Sequence, residues 1–231
     1  MIPYSIVRPM RPTHRSTENA TAARRERGEQ TRLRILRAAE AEFGEAGYQA
    51  ATMARIAARA GVAVQTVYFN FRSKSLLLRE LIAQSVMGFT DPQKPEDTDW
   101  FNATLEEEDG AAALRSFAAG GLLIFSRAST AAETARLAAP TDPEVADVYM
   151  ESERLRAEQF ERFATSLERH GALRPGLSAA KATDVLLTMA SAQTYLQLTR
   201  LRGWSDEAWV EWLGEALCQL LLPAPIPGTL V

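Results

Sequence analysis

The sequence predicts an all-α protein in two parts: a small N-terminal three-helix helix-turn-helix domain and a larger helical body behind it. Three observations predict it. Apolar residues recur at three- and four-residue spacing, with no strand-like alternation and few β-branched runs. The periodic runs are punctuated by residues that stop or start helices: Gly47, Gly61, Ser73, Pro140-Thr-Asp-Pro143, His170-Gly171 and Pro175-Gly176. Residues 52–74, TMARIAARAGVAVQTVYFNFRSK, form two short amphipathic segments hinged at one glycine. The expected organisation is a flexible basic extension over 1–28, a helix-turn-helix domain over 29–80, a helical ligand-binding and dimerisation body over 81–223, and a tail over 224–231.

Residues 1–28 are rich in Pro, Thr, Ser and Arg, show no helical period and are expected to be mobile. Arg24, Arg25 and Arg27 close this leader, and they suit either a minor groove with its phosphates or a solvated segment with diffuse attraction to a polyanion. A first helix is expected from about Glu29 to Ala46, with Leu36, Ala39, Phe43 and Ala46 along one stripe and Gly47 stopping it. Thr52 then offers an N-cap oxygen, and Met53, Ile56, Ala57 and Ala60 give the next helix one buried face. Gly61 stands where the turn between two packed helices needs a positive φ and no Cβ.

In the following segment Val62 plugs the turn and Val67 and Phe71 face inward, leaving Ala63, Val64, Gln65, Thr66, Tyr68 and Asn70 mostly outward. That face is short of charge, unlike an ordinary solvated helix. Gln and Thr can exchange hydrogen bonds with base edges, and the methyl groups of Val64 and Thr66 can meet thymine methyls. Tyr68, Asn70 and Lys74 suit phosphate oxygens.

From about Gln30 to Ile82 the chain resembles the DNA-binding domain of the TetR family of bacterial transcriptional regulators. The resemblance is carried by Phe43-x3-Gly47-Tyr48, the capping Thr52, the Ala-Gly-Val turn and the T-V-Y-x-x-F-x-S-K ending, about a quarter of the chain. It implies that Thr52 and Lys74 anchor phosphates at the N-termini of the second and fourth helices. By the same resemblance Val64, Gln65 and Thr66 face bases, and Tyr68 and Asn70 contact the DNA backbone. Two positions depart from the common pattern: Ala63 stands where a polar cap is frequent, and Asn70 where His or Tyr is frequent.

Ser73 is expected to cap a fourth helix that links head to body. Gly88 to Asp109 reads as a Pro-, Asp- and Glu-rich connection, either a surface lid or irregular, with Trp100 turned against the body. Helices are expected over about 110–128, 129–138, 143–170, 178–202 and 205–222. His170 falls in a last turn, where a cation suits the helix dipole.

The last two helices have wide apolar faces. Leu186 and Leu196 on one, with Trp209, Trp212, Leu213 and Leu217 on the other, suit either the protomer's own core or a four-helix bundle in a homodimer. The resemblance implies the dimer, with two recognition helices on a palindromic double-stranded DNA operator. Ala118-Ala119-Gly120-Gly121 puts small residues in a helix, for close packing or for a cavity. Phe125, Tyr149, Met150, Met189, Gln193 and Tyr195 are the candidate lining of such a pocket, a mixture suited to an apolar or aromatic effector. The resemblance implies that a ligand there changes the separation of the heads and lowers operator affinity.

Charge divides the chain along the same line. Up to residue 80 there are about 14 Lys and Arg against 7 Asp and Glu, and beyond it about 12 against 22, so a basic head sits on an acidic body. A basic head attracts a polyanion in a salt-dependent way. The single Cys218 leaves no disulfide framework or thiol cluster for metal, and no metal or cofactor is expected. Two histidines, with no HExxH, GxSxG or Walker sequence, argue against an enzyme. No apolar run approaches the roughly 20 residues that cross a bilayer, and the start lacks a cleavable apolar leader, so a cytoplasmic address is expected. The function expected is a sequence-specific DNA-binding transcriptional regulator, a repressor released by a small apolar or aromatic ligand. The alternative is a helical ligand-binding or scaffold protein without DNA binding.

Overall fold

A computed structural model describes the backbone of residues 14–89 and 92–224, with side chains from residue 23 onward in those ranges. Among the described residues the fold is helical throughout, without strands. The head comprises α1 (His14–Ala50), α2 (Met53–Ala60), α3 (Val64–Phe71) and α4 (Lys74–Met87).

The caps read from the sequence are in place. Thr52 Oγ1 accepts the Arg55 amide at 3.2 Å, and Ser73 Oγ accepts that of Leu76 at 3.2 Å. Gly61 adopts φ 65°, closing α2 through its amide to the carbonyls of Ala57 and Ala58. α2 buries Met53, Ile56, Ala57 and Ala60, and α3 buries Val67 and Phe71. α3 begins at Ala63 with no side-chain cap.

α1 departs from expectation at its start. It begins at His14 rather than near Glu29, so residues 14–28 are helical rather than an irregular leader; residues 1–13 lie outside the described part. Ala20, Ala22, Ala23, Arg24, Arg25, Glu26 and Arg27 are strong helix formers that need no tertiary contact to extend a helix already nucleated downstream. Residues 23–30 are all exposed, which explains the missing amphipathic period. At the other end Gly47 (φ 75°, ψ 166°) interrupts α1 where the stop was expected.

The body contains α5 (Asp99–Glu106), α6 (Gly110–Ala138), α7 (Pro143–Arg169), α8 (Ala179–Met189), α9 (Ala192–Leu196) and α10 (Asp206–Leu221). α5 lies in the segment expected to be a connection and buries Phe101 and Thr104. α6 runs unbroken where two helices were expected, because Ser126 to Thr130 contains no Gly or Pro and Thr134 returns its hydroxyl to the Thr130 carbonyl at 2.8 Å. The single helix expected over 178–202 is broken at Ala190. There Ser191 and Thr194 form a capping box that starts α9, which runs into a π turn over Gln197–Leu201.

Two apolar clusters hold the molecule together. One joins the head to the end of α6 (Ala131, Ala135, Ala138) and the start of α7 (Val145, Val148). The other fills the body with Leu114, Phe117, Phe163, Leu186, Trp209 and Leu213 among others. The head therefore shares a core with the helices that also build the body, and a shift of α6 or α7 is felt by α1 and α4.

Candidate nucleic-acid interface

α3 is fixed at both ends, by the Gly61 turn before it and by Arg72, at φ 58°, and the Ser73 cap after it. From that seat it presents Gln65 and Tyr68 as exposed side chains, with Val64, Thr66 and Asn70 half-buried. Val64 packs on the head core, so its methyls are shared between core and surface. Asn70 Nδ2 donates to the Thr66 carbonyl at 2.7 Å, leaving its oxygen available outward. Phe69 is 88 % exposed, the most exposed large apolar side chain of the head, and was missed by the sequence reading. Its signal was present: with Val67 and Phe71 inward, the residue between them must point away.

Lys74 has a different setting from the one the sequence suggests. Its ammonium donates to the carbonyls of Tyr48 at 2.6 Å and Ala51 at 3.0 Å, and lies 4.1 Å from the centroid of the Tyr48 ring. It ties the start of α4 to the end of α1, with one N–H left over. Burial pushes its pKa down, with Asp142 acting in the opposite direction. The α1–α2 angle is held by Glu42, buried on α1 and paired with Arg55 and Arg59, while Arg59 also reaches Glu45 at 2.5 Å. Arg32 lies 4.7 Å over the Phe71 ring and pairs with Glu80 at 2.6 Å. Arg24, Arg25 and Arg27 are exposed along a helix, rather than on an extended arm.

The head meets the body through polar contacts at its rim. Gln49 Nε2 donates to Thr141 Oγ1 at 2.9 Å, and Ser75 Oγ donates to Glu144 at the start of α7. Burial and the neighbouring Asp142 hold the Tyr48 phenol well above its ordinary range. On the far side of α1, Arg200 of the π turn reaches Thr130 Oγ1 at 2.5 Å and faces Glu40, whose carboxyl is raised by burial against the pull of Arg200 and Arg37.

The candidate pocket residues do not converge. Phe125 and Tyr195 meet around Trp209, at 4.8 and 5.1 Å between ring centroids, and the Tyr195 hydroxyl donates to Asp206 at 2.8 Å. Burial, then the Asp206 bond, pushes the Tyr195 phenol up to about 12. The buried Trp209 Nε1 has no hydrogen-bond partner in this aromatic group. Met189 is half-buried beside it, but Gln193 is exposed. Tyr149 packs instead on the head-side cluster, and Met150 is 65 % exposed, so neither lines the space near Tyr195. The small residues of α6 serve close packing: a methyl on Gly120 would come within 2.1 Å of the Trp100 ring.

The dimer candidates also divide. Leu186, Trp209, Leu213 and Leu217 are closed inside one protomer, a correction to their placement at an interface, because α6 packs across that face of α10. Leu196 and Trp212 remain half-exposed. His170 at the end of α7 places Nδ1 3.0 Å from the Glu107 carbonyl, pinning the connection before α6.

A short helix hinged on a left-handed glycine, presenting an uncharged face from a basic head, defines a helix-turn-helix reader mounted on a helical body. Residues 35–81 match the family described as bacterial regulatory proteins, tetR family. No curated protein sequence matches the chain. Among solved structures it is similar to NalD, the secondary repressor of the MexAB-OprM multidrug efflux pump in Pseudomonas aeruginosa. That match has 21 % identity over 84 % of this chain and 97 % of NalD, with TM-score 0.62. The transcriptional regulator FadR from Bacillus subtilis, in complex with stearoyl-CoA, matches at 19 % identity over 80 % of this chain and 97 % of FadR, with TM-score 0.63. The SmeT–triclosan complex matches at 20 % identity over 87 % of this chain and 95 % of SmeT, with TM-score 0.64. These likenesses extend the shared fold from the head to the whole body.

Proposed function

We propose that this chain is a sequence-specific transcriptional regulator that binds a palindromic DNA operator as a homodimer and is released by a small apolar or aromatic ligand. The observation that carries the proposal is α3: a helix fixed at both ends whose outward side chains, Gln65, Thr66, Tyr68 and Phe69, carry no charge, on a head that is basic overall. Val64, Gln65 and Thr66 meet base edges in this reading. Thr52, Tyr68 and Asn70 meet phosphate or sugar, and the remaining Lys74 N–H points to a phosphate while its other two hold α1. Arg24 and Arg25, on the exposed start of α1, add attraction along the DNA backbone.

The ligand seat proposed is the aromatic group of Phe125, Tyr195 and Trp209, where α6, α9 and α10 meet and the Trp209 N–H is unpartnered. Triclosan on SmeT and stearoyl-CoA on FadR support an apolar ligand class. A ligand wedged there displaces α6 and the π turn, and α6 carries Ala131, Ala135 and Ala138 into the head core. No helix among the described residues is long and apolar enough to cross a membrane, and a cytoplasmic site of action is part of the proposal. Titrating the full chain against a random-sequence duplex over a range of salt is the test. Affinity that falls steeply with salt supports a DNA-binding head, whereas no binding at low salt by folded protein overturns it.

A further inference from the structure

Phe69 does no packing within the head: it is 88 % exposed and stands outside the apolar cluster that takes in Val67 and Phe71. The helix aims it outward. With Val67 and Phe71 buried and about 100° of turn per residue, Phe69 lies about 160° from both, at the middle of the face of α3 that looks away from the core. Gln65, exposed and one turn earlier, shares that line. Val64 and Tyr68 fall on one flank of it and Thr66 and Asn70 on the other.

A phenyl ring offers neither donor nor acceptor, so Phe69 cannot hold a phosphate oxygen or a polar base edge as the neighbouring Tyr68 phenol can. The group in a major groove that matches it is the 5-methyl of thymine, the apolar element of the base-edge code. Val64 and Thr66 also carry methyl groups, but both are half-buried and off the centre of the face. The rise from Gln65 to Phe69 is about 6 Å, close to two base-pair steps of about 3.4 Å each. With α3 laid along the groove, the ring therefore meets a base about two pairs from the one that Gln65 meets.

We infer that Phe69 is a specificity-determining residue that packs on the 5-methyl of a thymine in each half-site. The inference rests on the DNA-binding reading proposed above and names a base feature that the head selects. The probe is the duplex most enriched by the full chain from random DNA, together with copies in which single thymines are replaced by deoxyuridine, which keeps base pairing and removes only the methyl. Loss of one buried methyl is expected to weaken wild-type binding about fourfold, and the same change in both half-sites roughly fifteenfold. The sensitive thymine is expected about two base pairs from the position whose preference shifts in Gln65→Ala. Phe69→Ala, with an unchanged Tm, is expected to bind the thymine and deoxyuridine duplexes equally at that position while keeping any methyl dependence elsewhere. An operator without a thymine in reach, wild-type indifference to the methyl, or Phe69→Ala that still discriminates overturns this role and leaves DNA reading standing. Folded protein that enriches no duplex overturns both.

Discussion

Replacing Lys74 by alanine separates two roles that one ammonium group can play. In the structure it donates to the carbonyls of Tyr48 at 2.6 Å and Ala51 at 3.0 Å and lies 4.1 Å from the Tyr48 ring. Two charge-assisted hydrogen bonds contribute on the order of 1 kcal/mol each after discounting for partial exposure, and the cation–π contact adds about 0.5–1 kcal/mol. Lys74→Ala is therefore expected to lower the unfolding free energy by about 2–3 kcal/mol, a fall of roughly 5–10 °C in Tm for a chain of this size. Thermal unfolding followed by circular dichroism reads this directly. DNA affinity of the variant, measured well below its Tm, is expected to fall with little change in salt slope, because the lysine acts mainly by holding α1 to α4. If Tm is unchanged while the salt slope drops by about one phosphate's worth, roughly 0.9, the ammonium acts mainly on DNA and the reasoning from its carbonyl partners fails.

Gln65→Ala is expected to leave Tm unchanged and alter base preference at one operator position, at a cost of about 1–3 kcal/mol for the preferred base; Tyr68→Ala is expected to weaken binding evenly across sequences. Selection of bound fragments by each variant distinguishes the two patterns. Gly120→Ala sets a methyl 2.1 Å from the rigid Trp100 ring, so α5 is expected to lift from α6 with a loss of about 1–3 kcal/mol, seen as red-shifted tryptophan emission and a lower unfolding midpoint. Tyr195 titrates at about 12 in the fold against an ordinary value near 10. Folding thus favours the neutral phenol: its contribution is whole below pH 10 and is lost as pH rises towards 12, a loss of up to about 2 kcal/mol. Urea unfolding at pH 8 and pH 11 is expected to show this loss, with a smaller one in Tyr195→Phe.

The elements legible in the sequence are those decided locally. Thr52, Gly61 and Ser73 cap or turn the chain by contacts within a few residues, and they sit as their types require. The missed elements depend on distant partners or on balances between near-equal options. Helix over residues 14–28 adds exposed turns to a nucleus lying downstream, so no apolar period announces it. Ala190 and Ser191 read as helix interior, yet the Ser191–Thr194 capping box wins over continuation. Trp209 and Trp212 sit three positions apart on one helix; only the packing of α6 decides that the first is buried while the second faces out. Tyr149 and Tyr195 read as members of one pocket, whereas the fold assigns them to different clusters. The two carbonyl bonds of Lys74 were not legible, because they depend on where the end of α1 is placed.

The central claim is that the α3 face reads sequence as one half of a symmetric pair. Its most direct test is selection of bound fragments from random and genomic DNA by the full chain at two salt concentrations, followed by sequencing. The account predicts an enriched inverted repeat, with half-sites about one helical turn apart or a multiple of it, whose binding weakens as salt rises. Folded protein that enriches no sequence at either salt contradicts it.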